Sequence, residues 1–104
     1  MKFLPVCAAF VVLGAGQLLG AAADGKVVYD GNCKMCHAAD GSGNKGLAAS
    51  MKVTMRPLGS AEVQAKSDAE LKKDITAGNG KMKPKTLSAA QATDVVAFLR
   101  TLKK

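Results

Sequence analysis

The sequence predicts a single, mostly α-helical domain, and three observations carry that prediction. Two stretches have the form of a helix start in which a serine and a Glu or Gln three residues later satisfy each other's backbone donors: Ser67-Asp68-Ala69-Glu70 and Ser88-Ala89-Ala90-Gln91. Each is followed by apolar residues at helical spacing, Leu71 and Ile75 after the first, Val95, Phe98, Leu99 and Leu102 after the second. No run is long and regular enough to argue for a sheet, and neither an internal repeat nor a low-complexity linker divides the chain.

The N-terminal residues have the make-up of an export signal. Met1 and Lys2 give a short positive start, an apolar stretch runs from Phe3 to Gly20, and Ala21-Ala22-Ala23 form a small-residue cleavage site. A cut after Ala23 would leave residues 24–104 as the mature domain, exported to the periplasm. The competing expectation is an uncleaved anchor facing the periplasm, because Phe3 to Gly20 is just long enough to span a bilayer. Gly14, Gly16, Gln17 and the alanine ending favour removal, and Cys7 reads as an incidental part of the signal.

Beyond the signal, Asp24 is the expected N-cap of a short helix running to Asn32, with Gly25, Tyr29 and Cys33 on one face. Residues 38–60 are rich in Gly, Ala and Ser. They hold a turn cluster at Gly41-Ser42-Gly43-Asn44, an expected helical turn around Ala48 to Val53, and a break at Pro57. The helix opened by Ser67 should stop at Gly78, and Gly78-Asn79-Gly80-Lys81-Met82-Lys83-Pro84 should form an exposed loop. The last helix places Arg100, Lys103 and Lys104 at its C-terminal end, where cations complement the helix dipole.

A domain of this size buries only a small core. It is also poor in aromatic residues: the chain has no Trp, one Tyr and three Phe, and Phe3 and Phe10 fall in the export signal. A bound cofactor would supply the missing apolar bulk.

Cys33-Lys34-Met35-Cys36-His37 names that cofactor. C-x-x-C-H is an attachment motif for c-type haem: two thiols on one side of a helical turn can each form a thioether to one porphyrin, and the next residue offers an imidazole to the iron. In an oxidising compartment an unmodified pair would tend to close into a disulfide, whereas haem attachment would consume both sulfurs. His37 is the only histidine in the chain.

The opposite side of the iron requires a second ligand if the metal is to be closed and suited to electron transfer, and methionine is the leading candidate. Met35 lies inside the attachment turn and should point away. Met51 and Met55 suit core filling as well as ligation, and Met82 sits in the glycine-bounded loop, where the backbone is free to fold over a porphyrin. The alternative function keeps the haem but leaves the sixth position open, as in a ligand-binding, sensor or peroxidase-like protein.

At these residues the chain resembles the class I c-type cytochromes. The resemblance spans Gly25 to Leu102 and implies a small cytochrome c-like fold whose first and last helices pack together around one covalently bound haem c. It implies that Cys33 and Cys36 are the thioether positions and that His37 and Met82 are the axial iron ligands. In the family the first and last helices cross where a glycine permits close approach beside aromatic residues, and Gly25, Tyr29, Val95 and Phe98 fit those places. One departure is local: the family commonly has proline directly after the methionine, whereas here Lys83 precedes Pro84. The implied activity is one-electron shuttling between redox proteins rather than enzymatic catalysis.

Charge bears on partners. With 15 Lys and Arg against 8 Asp and Glu the chain is basic, at +7, which favours acidic redox partners and speeds encounter. Lys34, Lys81, Lys83 and Lys85 flank the motif and the methionine loop and are candidates for steering. Nucleic acid is not the expected partner, because stacking aromatics and a basic recognition helix are both missing. A monomer is expected, touching a membrane only through its partners or an uncleaved signal. Zinc would need four ligands of suitable type and a thiol-disulfide site would need a βαβ context; the mature chain supplies neither.

Overall fold

In a computed structural model, residues 9–104 are described, with side chains described from Gly20 onward. The start of the expected export signal, Cys7 included, lies outside the described residues. Six helices follow in order: α1 (Ala9–Asn32), α2 (Lys34–His37), α3 (Lys45–Met51), α4 (Ala61–Gln64), α5 (Asp68–Ala77) and α6 (Ala89–Thr101). The described residues contain no strand, only an isolated bridge between Asn79 and Met82. None of these helices is long and apolar enough to cross a membrane.

Both serine-led helix starts form as expected. Ser67 accepts from the Glu70 amide at 3.1 Å while Glu70 reaches back to the Ser67 amide at 2.9 Å, and Ser88 with Gln91 repeats the arrangement at 3.1 and 2.9 Å. The same bonds hold the Glu70 carboxyl below its ordinary range. Gly78 caps α5 with a positive φ of 85°. The first helix differs from expectation. Asp24 is an interior residue of α1 rather than its N-cap, because the alanines before it are strong helix formers and nothing between Gly20 and Asp24 breaks the helix. The turn expected around Ala48 to Val53 is displaced toward the N-terminus, where the Asn44 side chain accepts from the Leu47 amide and starts α3. Ser60 likewise caps α4, a helix not foreseen.

The core lies where α1 and α6 cross. At Gly25 the two backbones meet so closely that a Cβ would stand 1.9 Å from the Asp94 carbonyl oxygen and 3.0 Å from the Phe98 Cβ. One turn further on, the rings of Tyr29 and Phe98 pack tilted at 52° with centroids 5.0 Å apart. Tyr29 and Val95 are fully buried, and Leu71 and Ile75 of α5 join Val96 and Leu99 of α6 in the same cluster. Each such side chain contributes about 1.5–3 kcal/mol on leaving water.

A polar clamp ties the middle of the chain to α6. Arg100 donates to the carbonyls of Lys66 at 2.8 Å and Gln64 at 3.1 Å and to the Asp68 carboxylate at 2.7 Å, while Gln64 Nε2 donates to the carbonyls of Leu58 at 2.8 Å and Leu99 at 3.0 Å. The connection between α3 and α5 packs Leu58 and Val63 against the core, and these bonds satisfy carbonyls along it and help fix its path.

Candidate functional site

The attachment motif continues α1 by one tight turn. The Cys33 amide still donates to Tyr29 at 2.8 Å, and the Cys33 carbonyl then accepts from the Cys36 amide at 3.2 Å and the His37 amide at 3.0 Å. This places Cys33, Cys36 and His37 on one short rigid element. Ala38 ends it with φ 69°, a conformation alanine rarely adopts, and the Tyr29 hydroxyl donates to the Ala38 carbonyl.

The turn cluster after the motif folds back and satisfies the carbonyls that a helix end leaves free. Gly43 donates to His37 at 2.8 Å, the Asn44 amide to Cys36 at 2.9 Å, and the Asn44 side chain to Met35 at 3.1 Å. Asn44 thus closes one helix and opens the next. Met35, expected to point away, is 81% exposed.

Met82 is carried by a two-residue turn in which the amides and carbonyls of Asn79 and Met82 exchange bonds of 3.0 and 2.9 Å. Glycine is required at the base of this turn: Gly78 has positive φ, and a Cβ there would lie 2.9 Å from the Met82 carbonyl. The turn is joined to α5 at both ends, through Gly78 to Asp74 at 3.1 Å and Lys85 to Ile75 at 2.8 Å.

Two adjoining spaces separate the motif from the methionine turn. The inner one, about 190 Å³, is lined by Tyr29, Leu71, Ile75, Val95 and Leu99 of the core together with His37 and Met82. The outer groove, about 690 Å³, is bordered by Cys33, Cys36, His37 and Met82 together, with Leu47, Met51, Val53 and Met55 forming apolar wall. Its size falls within the roughly 300–1,000 Å³ usual for ligand and cofactor sites. All four site residues read from the sequence therefore meet at one groove. Of the lysines read as flanking it, Lys81, Lys83 and Lys85 line the groove and Lys34 does not.

The chemistry of these groups suits a covalently held haem. Both thiols are free, Cys33 buried and Cys36 half-buried. Burial pushes the Cys33 thiol up, with the neighbouring Cys36 adding to the effect and the Lys85 ammonium opposing it. His37 is drawn below its ordinary value by burial, which keeps the ring neutral and able to ligate a metal. Its Nδ1 is buried without a hydrogen-bond partner among the described residues. Pro57, the nearest downstream proline, receives the Ser60 amide at 3.0 Å. A buried ring nitrogen left without a partner is costly, and it fits a histidine whose ring is set by a group bound in the groove it lines.

Sequence reasoning missed the polar wall of the inner space. Lys66, Asp74 and Asn79 border it, with Lys66 Nζ 2.6 Å from Asp74 Oδ2 and Asn79 Nδ2 3.1 Å from Asp74 Oδ1. The available signal was Asp74 itself, an anion in the last turn of α5, where the helix dipole disfavours one.

The family model of cytochrome c matches residues 22–103 of the chain. No match was found among the curated proteins or among the solved structures.

Proposed function

We propose that this chain, which belongs to the cytochrome c family, is an exported carrier that passes single electrons between redox proteins through a His37/Met82-ligated haem. The family consists of electron carriers that hold haem c covalently, not of enzymes. The observation that carries the finer reading is that Cys33, Cys36, His37 and Met82 all line one largely apolar groove.

When bound, the haem supplies the ferric/ferrous couple. Cys33 and Cys36 would hold it by thioether bonds, from a turn that the helix pair keeps rigid. His37, held neutral by burial, would present an imidazole nitrogen, and Met82 a soft thioether that favours the reduced metal and raises the potential. Leu71, Ile75, Val95 and Leu99 would keep water from the inner face. With both ligands in place in either redox state, little has to rearrange when an electron arrives or leaves.

Residues 1–23 act in this reading as the export signal and residues 24–104 as the carrier domain, working as a monomer in the periplasm. The partners are proteins with acidic docking faces, drawn by the lysines at the groove rim. Redox encounters of this kind bury small interfaces, below about 1,200 Å², and so can dissociate between transfers.

The test is the exported protein made in a host that matures c-type cytochromes. Its mass after denaturation should include one haem, and its reduced form should take up carbon monoxide slowly. Met82→Ala should keep the haem, lower the reduction potential and bind carbon monoxide readily. A colourless product with free or disulfide-joined thiols would overturn the reading. Rapid carbon monoxide uptake by the parent would replace the closed carrier with an open-iron protein.

A further inference from the structure

We propose that Asp74 is a positioning residue for Met82: its carboxylate fastens the turn bearing Met82 to the body of the domain and so governs how firmly the sixth iron position stays closed. The proposal rests on the reading of Met82 as the sixth ligand.

The backbone bonds inside the turn fix Met82 only with respect to Asn79. Something else must set the turn against the cavity. Backbone bonds from Gly78 and Lys85 tie its two ends to the last turn of α5, so any further restraint on the turn comes from side chains. Two side-chain bonds leave the turn: Lys81 Nζ reaches across the outer groove to the Met51 carbonyl at 2.7 Å, and Asn79 Nδ2, on the side of the inner space, donates to Asp74 Oδ1 at 3.1 Å. The other carboxylate oxygen takes the Lys66 ammonium at 2.6 Å, and the Lys66 carbonyl is held by Arg100 of α6 at 2.8 Å. A continuous polar path thus runs from α6 through Lys66 and Asp74 to the turn.

Two features set this clasp apart from an ordinary surface pair. Lys66, Asp74, Asn79 and Met82 border the inner space together with His37, so the clasp forms part of the wall of the site. The Asp74 side chain is also only 26% exposed, and it lies at the helix end where an anion is disfavoured, so its two donors offset a cost that a neutral residue would not incur.

Removing the carboxylate would leave the backbone bonds of the turn in place. The expected result is therefore a looser ligand rather than an unfolded chain. In the haem-loaded protein, Asp74→Ala and Asn79→Ala should each retain the haem by mass and each raise the rate of carbon monoxide uptake by the reduced form about tenfold, the scale of one partly screened charge-assisted hydrogen bond. The double variant should be no faster than either single one, because both remove the same tie. Ser67→Ala, which weakens the start of α5 without touching the clasp, should behave as the parent. If Asp74→Ala does not fold, Asp74→Asn serves: it keeps an acceptor for Asn79, loses the charge on Lys66, and should fall between parent and Asn79→Ala.

Parent-like uptake in the Asp74 and Asn79 variants would overturn the proposal while leaving Met82 as ligand. Independent, additive effects would also overturn it, since the two residues would then not act as one tie. Rapid uptake by the parent would instead remove the sixth-ligand reading and the proposal with it.

Discussion

The crossing of α1 with α6 and the arm at residues 78–85 hold opposite sides of the same groove by different physics. At the crossing, Gly25 lets two backbones touch while Tyr29, Val95 and Phe98 interlock, so position is fixed by close packing. Along the arm, position depends on a handful of hydrogen bonds: those to the end of α5, the Asp74 clasp, and the Lys81 ammonium on the Met51 carbonyl. The chain thus gives its attachment turn and histidine to the stiff region and its methionine to the compliant one. In the proposed function a covalent anchor and a weaker thioether ligand would be served accordingly. The sharpest way to break this contrast is Gly25→Ala. A methyl group 1.9 Å from the Asp94 carbonyl must push the helices apart, at a cost of about 3 kcal/mol, the upper part of the usual range for overpacking. Denaturant unfolding should show that loss for the whole domain, whereas Met82→Ala should move the midpoint far less. An unchanged midpoint in Gly25→Ala would mean that the crossing does not carry the fold.

The same contrast explains what could be read from the sequence. The faces that meet at the crossing were legible because packing leaves a periodic trace, Gly25, Tyr29 and Cys33 in one segment and Val95, Phe98 and Leu99 in the other, while their meeting was what the resemblance implied. The serine-led helix starts were legible because their chemistry is local, as Ser67 with Glu70 and Ser88 with Gln91 bear out. Cys33, Cys36 and His37 fall within five consecutive residues, so their convergence needed no knowledge of the fold. Residues 38–66 were largely opaque. Leu58, Val63 and Lys66 reach the groove through a path set by Arg100 and Gln64, whose bonds between α6 and residues 64–66 join residues far apart in sequence. Periodicity carries no trace of such bonds. Asp24 was misassigned as a cap because composition changes there while helix propensity does not.

A smaller effect tests the arm from its solvent side. Lys81 is partly committed, its ammonium donating to the Met51 carbonyl at 2.7 Å across the groove, and Lys85 lies close enough to Cys33 to oppose the rise of its thiol. Lys83 is exposed on the groove rim. Changing Lys81, Lys83 and Lys85 together to Glu should slow electron exchange with an acidic partner about tenfold at low ionic strength, an effect that should shrink as salt rises. Stopped-flow rates measured against salt would show this. A rate equal to the parent's at low salt would move the docking surface elsewhere.

The smallest predicted effect concerns Tyr29, which joins the stiff region to the attachment turn. Its hydroxyl holds the carbonyl of Ala38, the residue that ends the motif in a left-handed conformation. Burial, helped by the nearby Cys33, Asp40 and Asp30, pushes its pKa from 10.0 to about 12. A group whose folded pKa is raised contributes stability that is complete below the unfolded value and is lost as pH climbs through the folded one. Stability should therefore decline between about pH 10 and 12, since the unfolded chain releases the proton first. Tyr29→Phe should lack that part of the slope and should lose about 1 kcal/mol at neutral pH, where the Ala38 carbonyl keeps only the bond from the Gly41 amide at 3.2 Å. Because this is the only tyrosine in the chain, tyrosinate absorbance follows it directly. Ionisation near pH 10 in the folded protein, with no accompanying loss of stability, would place the hydroxyl in water and detach the attachment turn from the helix pair.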